Sequence, residues 1–483
     1  MEKLSKIDIL EKIGGIYKDK LQNEEYEVIE MDPLDLISED RLDIVLKLLS
    51  IPRIIGVNNS EYLFEIYKKH IRCITENTFS ENGSTTKLSL DDFKSEFKQV
   101  CESISENGFN DTLSLIPVDG NSSPINGAHR VAAAIYYKVK VKVVIIPELS
   151  AKYDAEFFRK RGLCEDIIEH AFCRLVEISR KYVCGLTWPA SKITDTTINS
   201  VIEDICYLKS FNINERGMHN IICEAYSSEQ WLGTPENSYK GAWKKALPCL
   251  GDKKNKIVNF FIMKVGNNDL VEIKENIRQE FGIGKHSVHI CDDNFDSLRL
   301  SRYILNPHFI KIVNKASHYR YSTFIDKLEK LKMEIGNKAI PGDQLLLDGS
   351  TLLGVLGLRE PNDLDFLSSS DFQLKCADSH NRYLYLYQNN MDELQGNPSN
   401  YVYFYGLKFI GILPLIDFKR NRSEAKDNID ISLIKGFGEN NLYSKFMVFF
   451  KSKFYFTKLK VRNFTVKLIT LFGLKNILKS IIK

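Results

Sequence analysis

The chain is 483 residues long, 43% hydrophobic and 27% charged, with 27 Gly and 13 Pro. That is the composition of a core-forming protein of several domains, and it excludes collagen-like and low-complexity chains. No apolar run reaches the length of a spanning helix. The segment MEKLSKIDILEKIGGIYKD sets acids and lysines where an export signal needs apolar residues. The expectation is a cytoplasmic protein that does not cross a membrane.

Ten cysteines are scattered without a CxxC pair, so a zinc framework is not expected. Formal charge is only +3, but residues 441–483 carry ten Lys or Arg and no acid. The fold class expected is mixed, α/β and α+β, in several domains. The segments are 1–150, 151–320, 321–440 and a basic aromatic tail, 441–483.

Residues 25–36, EYEVIEMDPLDL, read as a strand followed by a turn at Asp32-Pro33. Residues 91–107 read as a helix stopped at Asn107-Gly108. Next, LSLIPVDGNSSPINGAHRVAAAIYYKVKVKVVII predicts a strand to Pro117 or Val118 and a turn at Asp119-Gly120. A short strand to Ile125, a helix from His129 to Tyr137 and a strand from Val139 to Ile146 follow. Gly127 before the helix start lets a ligand approach the backbone, where unpaired amides favour an anion. Arg130 can fork onto phosphate oxygens, and His129 can donate or relay a proton. The same string also fits a plain turn with a helix-capping arginine. Glu30 and Asp32 are acid/base candidates or simply turn residues.

The run SISENGFNDTLSLIPVDGNSSPINGAHRVAAAI resembles the ParB/sulfiredoxin superfamily over roughly residues 25–148, with a long insert at about 50–90. That resemblance implies nucleotide-phosphate binding at Gly127, His129 and Arg130. The family includes sulfiredoxins, CTP-binding partition proteins and a free-serine kinase, so kinase activity is one implication. Sulfiredoxin's cysteine position is Ala128 here, which excludes that chemistry. No helix-turn-helix follows residue 150, which speaks against a partition role.

In the central segment, Asp154 to Val183 reads as a helical hairpin, Lys256 to Met263 as a strand and Asp269 to Phe281 as a helix. HSVHIC (His286–Cys291) reads as a strand and Asp296 to Leu305 as a helix, an order that predicts an α/β domain. Asp292 and Asp293 fall just past a strand end, where open α/β sheets bind ligands.

The strongest signal is QLLLDGSTLLGVLGLREPNDLDFLS at 344–368. It predicts a strand (Leu345–Leu347), a Gly-Ser turn, a helix (Thr351–Leu358) and a second strand (Leu364–Leu367). Asp363 and Asp365 then point the same way, the geometry that grips Mg²⁺ on a triphosphate. This resembles the DNA polymerase beta-like nucleotidyltransferase superfamily, with pattern hG[GS], nine to thirteen residues, then Dh[DE]h. By that resemblance Gly349 and Ser350 bind nucleotide phosphates and Asp363 and Asp365 ligate metal. Asp417, ending the run FIGILPLID, is the candidate third carboxylate on a later strand. The stretch NRSEAKDNIDISLI is similar to a segment of the small and sugar-modifying branches, which implies that Lys426 meets a phosphate and Asp427 or Asp430 buttresses the site.

In the tail, Phe464, Leu468, Leu471, Leu474, Leu478 and Ile481 fall on one helical face, and Lys475, Lys479 and Lys483 form a separate stripe. Basic amphipathic helices of this kind suit an anionic membrane surface, a closing helix packed on the body, or nucleic acid. The expected function is an Mg²⁺-dependent nucleotidyltransferase acting on a nucleoside triphosphate and a small phosphorylated acceptor. Peripheral attachment to the inner membrane face through the tail and a role in surface-polysaccharide precursor synthesis accompany it. Alternatives are a toxin or regulator that modifies tRNA or protein, and a catalytically silent nucleotide sensor.

Overall fold

Three small sheets organise the chain, one within each of the first three expected segments. The computed structural model describes residues 2–81, 85–194, 197–251, 256–265, 270–438 and 442–471.

The N-terminal unit runs β1 (Glu2–Ser5), α1 (Lys6–Ile13), β2 (Glu25–Met31), α2 (Leu42–Ile54), α3 (Glu61–Ile74), α4 (Leu90–Asn107), β3 (Ile116–Val118), α5 (Ala128–Tyr137) and β4 (Val141–Ile145). Its sheet order is β1-β2-β4-β3, with β4 antiparallel to β2 and parallel to β3. The expected elements stand close to their expected bounds, except that the short strand to Ile125 is reduced to a single bridge between Val118 and Pro124. Gly108, at φ +72°, closes α4 where the Asn-Gly signal placed its end. The small-residue run Val131–Ala134 is fully buried and lets α5 pack closely on α2. The insert at 50–90 folds largely as α3 and carries part of the core.

Glu30 and Asp32 do not converge on a site. Glu30 is paired with exposed Lys140 at 3.0 Å, and Asp32 accepts from the Leu34 amide at 2.9 Å as a helix cap. Both have structural partners, as a short local turn requires.

The central unit runs α6 (Ala155–Lys160), α7 (Glu165–Ile178), β5 (Tyr182–Thr187), β6 (Ile205–Asn212), α8 (Glu215–Ala225), α9 (Lys240–Leu250), β7 (Ile257–Lys264), α10 (Leu270–Phe281), β8 (Val288–Ile290), α11 (Asn294–Ile304) and α12 (Phe309–Val313). Its sheet, β6-β7-β5-β8, is antiparallel throughout. The expected β-α-β-α order overlooked β6 and ran the start of β5 into the helical hairpin. The strand-end argument for Asp292 and Asp293 therefore loses its basis, since it applies to parallel sheets. Asp293 instead caps α11 through the Asp296 amide at 2.8 Å.

The C-terminal unit runs α13 (Ser322–Asn337), β9 (Leu346–Asp348), α14 (Thr351–Val355), β10 (Asp365–Leu367), β11 (Asp378–Ser379), α15 (Met391–Gly396), β12 (Tyr401–Phe404), β13 (Leu407–Ile410), α16 (Ile412–Arg422), α17 (Ala425–Gly438) and α18 (Leu442–Leu471). The order is β11-β10-β9-β13-β12, with β9 antiparallel to β10 and parallel to β13. One continuous apolar core joins all three units, from Leu36 to Phe437. Ser60 and the Asn59 amide reach across to Glu393 and Asp392 at 2.6 and 2.8 Å.

No described helix is long and apolar enough to cross a membrane. Leu474, Leu478 and Ile481, with the Lys475, Lys479 and Lys483 stripe, lie outside the described residues.

Candidate functional site

Two polar clusters are built by the sequence motifs. In the C-terminal unit, β9 ends at Asp348, the chain turns through Gly349 and Ser350, and α14 begins at Thr351. Gly349 holds φ +65°, and a Cβ there would come within 3.1 Å of Asp365 Oδ2. Glycine is thus required by backbone angle and by the carboxylate beside it. Asp365 opens β10 opposite Asp348 in the register. Asp363 lies just before that strand, exposed.

A histidine that the motif did not include binds this corner together. His380 Nδ1 lies 3.0 Å from Asp348 Oδ2, and its Nε2 lies 3.2 Å from Asp365 Oδ1. Asp348 is fully buried and also accepts from the Tyr387 hydroxyl. A carboxylate accepts only, so Nδ1 carries the proton on the Asp348 side. Burial pushes the Asp365 carboxyl up to about 6, His380 opposes this, and Asp363, Asp348 and Asp378 add to the rise. The crowded acids make this a place where added positive charge is favourable.

Asp417 does not join them. The run FIGILPLID is not one strand: β13 ends at Ile410, and α16 starts at Ile412 with Pro414 in its first turn. Proline is tolerated there because the first helical amides need no partner. Asp417 therefore sits on a helix and pairs with Arg420 at 3.4 Å. Among the described residues, no group of three His, Cys, Asp or Glu is arranged to enclose a metal ion. Asp363 and Asp365 remain the pair that could hold one.

Lys426 is engaged by Glu424 at 3.1 Å. Asp427 and Asp430 are buried with Lys419, at 3.2 and 2.7 Å, and each also takes an arginine, Arg422 and Arg359 respectively. This network braces α16 against α17. Phe418 of α16 stacks on Tyr387 with ring centroids 5.0 Å apart, so the network supports the wall behind Asp348.

The second cluster surrounds a cavity of about 330 Å³ in the N-terminal unit. Gly127 (φ +83°) precedes α5, and a Cβ there would meet Ile116 Cδ1 at 2.8 Å and Arg130 Nη2 at 3.0 Å. Arg130 lines the cavity, donates to the Leu115 carbonyl at 3.2 Å, and is pushed below its ordinary value by burial. His129 lines it too. Its Nε2 lies 3.2 Å from the Tyr67 hydroxyl, its ring packs on Phe97, and burial pushes it well below its ordinary pKa, so it is neutral. Gly127, His129 and Arg130 thus share one cavity wall.

The start of α2 completes the opposite chemistry. Arg41, just before α2, grips Asp43 with Nε and Nη2, both at 2.9 Å, and Lys47 reaches the same carboxylate at 3.3 Å. All three are almost completely buried and line the cavity. Arg41 Nη1 is buried with no hydrogen-bond partner. Burial opposes ionisation of Asp43, but Arg41 and Lys47 outweigh it and hold the carboxyl far below the usual range. Asp348 was visible in LLLDGS, directly before the Gly-Ser turn. His380, Arg41, Asp43 and Lys47 carry no motif spacing and come together only through the fold.

No family model, curated protein or solved structure matches this chain, so the geometry of these two clusters carries the functional reading.

Proposed function

We propose that the chain is a nucleotidyltransferase whose reacting centre is the Gly349–Ser350 turn with Asp363, Asp365 and His380. One observation carries the reading: Asp365 is held against a positive-φ glycine turn, by a histidine fixed from behind by buried Asp348. Asp363 and Asp365 would hold Mg²⁺, which supplies charge neutralisation on a triphosphate and typically needs only one or two protein carboxylates. Gly349 and the Ser350 hydroxyl face the phosphates. An acceptor oxygen forms a new bond to the α-phosphorus as the bond to the bridging oxygen breaks, and pyrophosphate leaves. The acceptor's proton leaves to water, and His380, with a carboxylate at each ring nitrogen, orients Asp365. The small phosphorylated acceptor and a place in surface-polysaccharide precursor synthesis belong to the same proposal. Gly127, His129 and Arg130 serve as a separate anion site.

The test is pyrophosphate release from each nucleoside triphosphate with Mg²⁺, alone and with pools of sugar phosphates, polyol phosphates and tRNA. Asp363→Asn/Asp365→Asn is expected to lower release at least about a hundredfold. Stimulation by tRNA in place of sugar phosphates would favour the RNA-modifying alternative. Silence with every pool, with triphosphate still bound, would leave a nucleotide sensor.

The tail extends this proposal to a membrane surface. Ser452 is buried and Phe456 lies 4.7 Å beneath Arg359, so that face of α18 packs on the body. Elsewhere on α18, Phe454, Val461 and Phe464 are 75, 60 and 63% exposed, and Lys458, Arg462 and Lys467 are exposed along the same helix. Aromatic rings flanked by lysines and arginines fit anionic lipid. Phe454→Ser/Phe464→Ser is expected to weaken sedimentation with phosphatidylglycerol vesicles about tenfold or more at fixed salt. Unchanged binding would remove the membrane role.

A further inference from the structure

The N-terminal cavity has two electrostatic ends. At the buried end, Arg41, Lys47 and Arg130 face the single carboxylate of Asp43, and no carboxylate pairs with Arg130 among the described residues. That wall carries two positive charges in excess. Arg41 lines this space, its side chain only 2% exposed, and its Nη1 is buried with no hydrogen-bond partner. A buried guanidinium donor without a partner is costly and calls for an acceptor. The first amides of α5 lie at the same wall.

At the more exposed end the sign reverses. Lys87 is bridged by Glu81 at 2.8 Å and Glu96 at 3.4 Å, leaving one carboxylate in excess. Carboxylates there accept from hydroxyl groups and repel further phosphate. The volume, about 330 Å³, lies at the lower end of the roughly 300–1,000 Å³ typical of ligand pockets. Space and charge both disfavour a whole triphosphate.

We propose that this cavity binds a small hydroxylated phosphomonoester, of the sugar-phosphate or polyol-phosphate class, with Arg41 joining Arg130 on the phosphate and Glu81 and Glu96 receiving the hydroxyls. The inference rests on reading Gly127 to Arg130 as an anion site, and it adds the ligand class and the anchors supplied from outside that turn. The phosphate dianion matches the excess of two cationic charges, and the unpaired Nη1 gains its acceptor. Asp43 keeps Arg41 in place by holding Nε and Nη2, leaving Nη1 for the ligand. Arg41 is in this sense a binding residue and Asp43 a positioning residue.

Isothermal titration of the full chain tests this with glycerol 3-phosphate, glucose 6-phosphate, glycerol, inorganic phosphate and ATP. One or both phosphomonoesters are expected to bind saturably and more tightly than inorganic phosphate or ATP, with glycerol silent. Arg41→Gln and Arg130→Gln should each weaken that binding about tenfold or more. Glu96→Gln should cut the preference for the ester over inorganic phosphate several-fold and leave phosphate itself unchanged. Ester binding that depends on Arg41 and Arg130 should persist when Gly349–Ser350 is already filled by triphosphate. Near-UV circular dichroism checks folding, and if Arg41→Gln does not fold, Arg130→Gln and Glu96→Gln decide. Phosphate and both esters failing to bind would sink the anion site itself. ATP binding that is tighter than either ester and is lost in Arg130→Gln, or ester binding indifferent to the Arg41 and Arg130 variants, would overturn the ligand class while leaving turnover at Asp365 untouched.

Discussion

Asp43→Asn is expected to destabilise the protein by roughly 3–5 kcal/mol at pH 7, the usual cost of removing one partner from a buried ion pair. Asp43 is 2% exposed and, among the described residues, is the only carboxylate paired with Arg41 and Lys47, which are themselves 1 and 3% exposed. Asparagine preserves the shape and removes the charge, so two buried cations are left facing each other. Arginine cannot shed its proton, but Lys47 can. Burial already pushes Lys47 below its ordinary pKa even with Asp43 present. Without Asp43 its folded-state value falls further, while the unfolded value stays near about 10.4. Between those two values the unfolded chain binds more protons, so stability rises with pH. The variant should therefore recover part of its deficit at pH 9.5 relative to pH 7, when both proteins are compared by urea unfolding. A saturating phosphomonoester should also raise the variant's melting temperature, because the ligand returns the missing negative charge. A deficit below about 1 kcal/mol, constant with pH, would show that Asp43 is not balancing buried charge.

How far the sequence carried depended on whether a signal was local. The N-terminal elements follow local punctuation: Asp32-Pro33, Asn107-Gly108, Asp119-Gly120 and Asn126-Gly127 each stand where the chain turns or a helix stops. The turn–helix–strand order around Gly349 was legible for the same reason, and its conformational demand on glycine is met in the fold. Of the central sheet, β7 and β8 were legible and β5 and β6 were not. YVCGLT is buried at every position and lacks the alternation of a half-buried strand, so it merged with the helix before it. FIGILPLID failed for a related reason: a short apolar run reads equally as strand or helix, and Gly411 divides it into both. His380 sits in the loop ADSHNRY, where no periodicity constrains it, and it reaches Asp365 only because β11 pairs beside β10. Arg41 precedes α2 and Lys47 lies within it, and the face that α2 turns inward is chosen by packing against α5. Pairwise chemistry within one turn could be read; chemistry between distant segments required the fold.

Acid is expected to unfold this protein before its ordinary, unshifted carboxylates titrate, through buried histidines kept neutral by the fold. Burial pushes His170 and His289 down to about 3 and His318 to about 4. His318 donates or accepts on both ring nitrogens, 3.0 Å from the Tyr303 hydroxyl and 2.7 Å from the Val355 carbonyl, so its neutral form is fully satisfied. In the unfolded chain each titrates near about 6.5. Below that pH the unfolded state binds more protons, and stability contributed by each histidine is lost as pH falls toward its folded value. At pH 5 the loss is about 2 kcal/mol per histidine, or roughly 6 kcal/mol for the three. His70 and His129, also pushed down by burial, act in the same direction. Asp365, Glu169 and Glu224 are raised and act in the opposite direction, recovering on the order of a few kcal/mol over the same interval. A net loss of several kcal/mol is comparable to the whole stability of an ordinary domain. Urea midpoints at pH 7.5 and 5.0 measure it, and His318→Gln should flatten the pH dependence by about 2 kcal/mol while lowering stability at neutral pH. Equal midpoints at the two pH values would mean that these rings are charged or solvated in the folded protein. The consequence reaches the candidate active site: a fall in pyrophosphate release below pH 6 coincides with this unfolding, so any assignment of that limb to Asp365 requires the unfolding curve beside the rate.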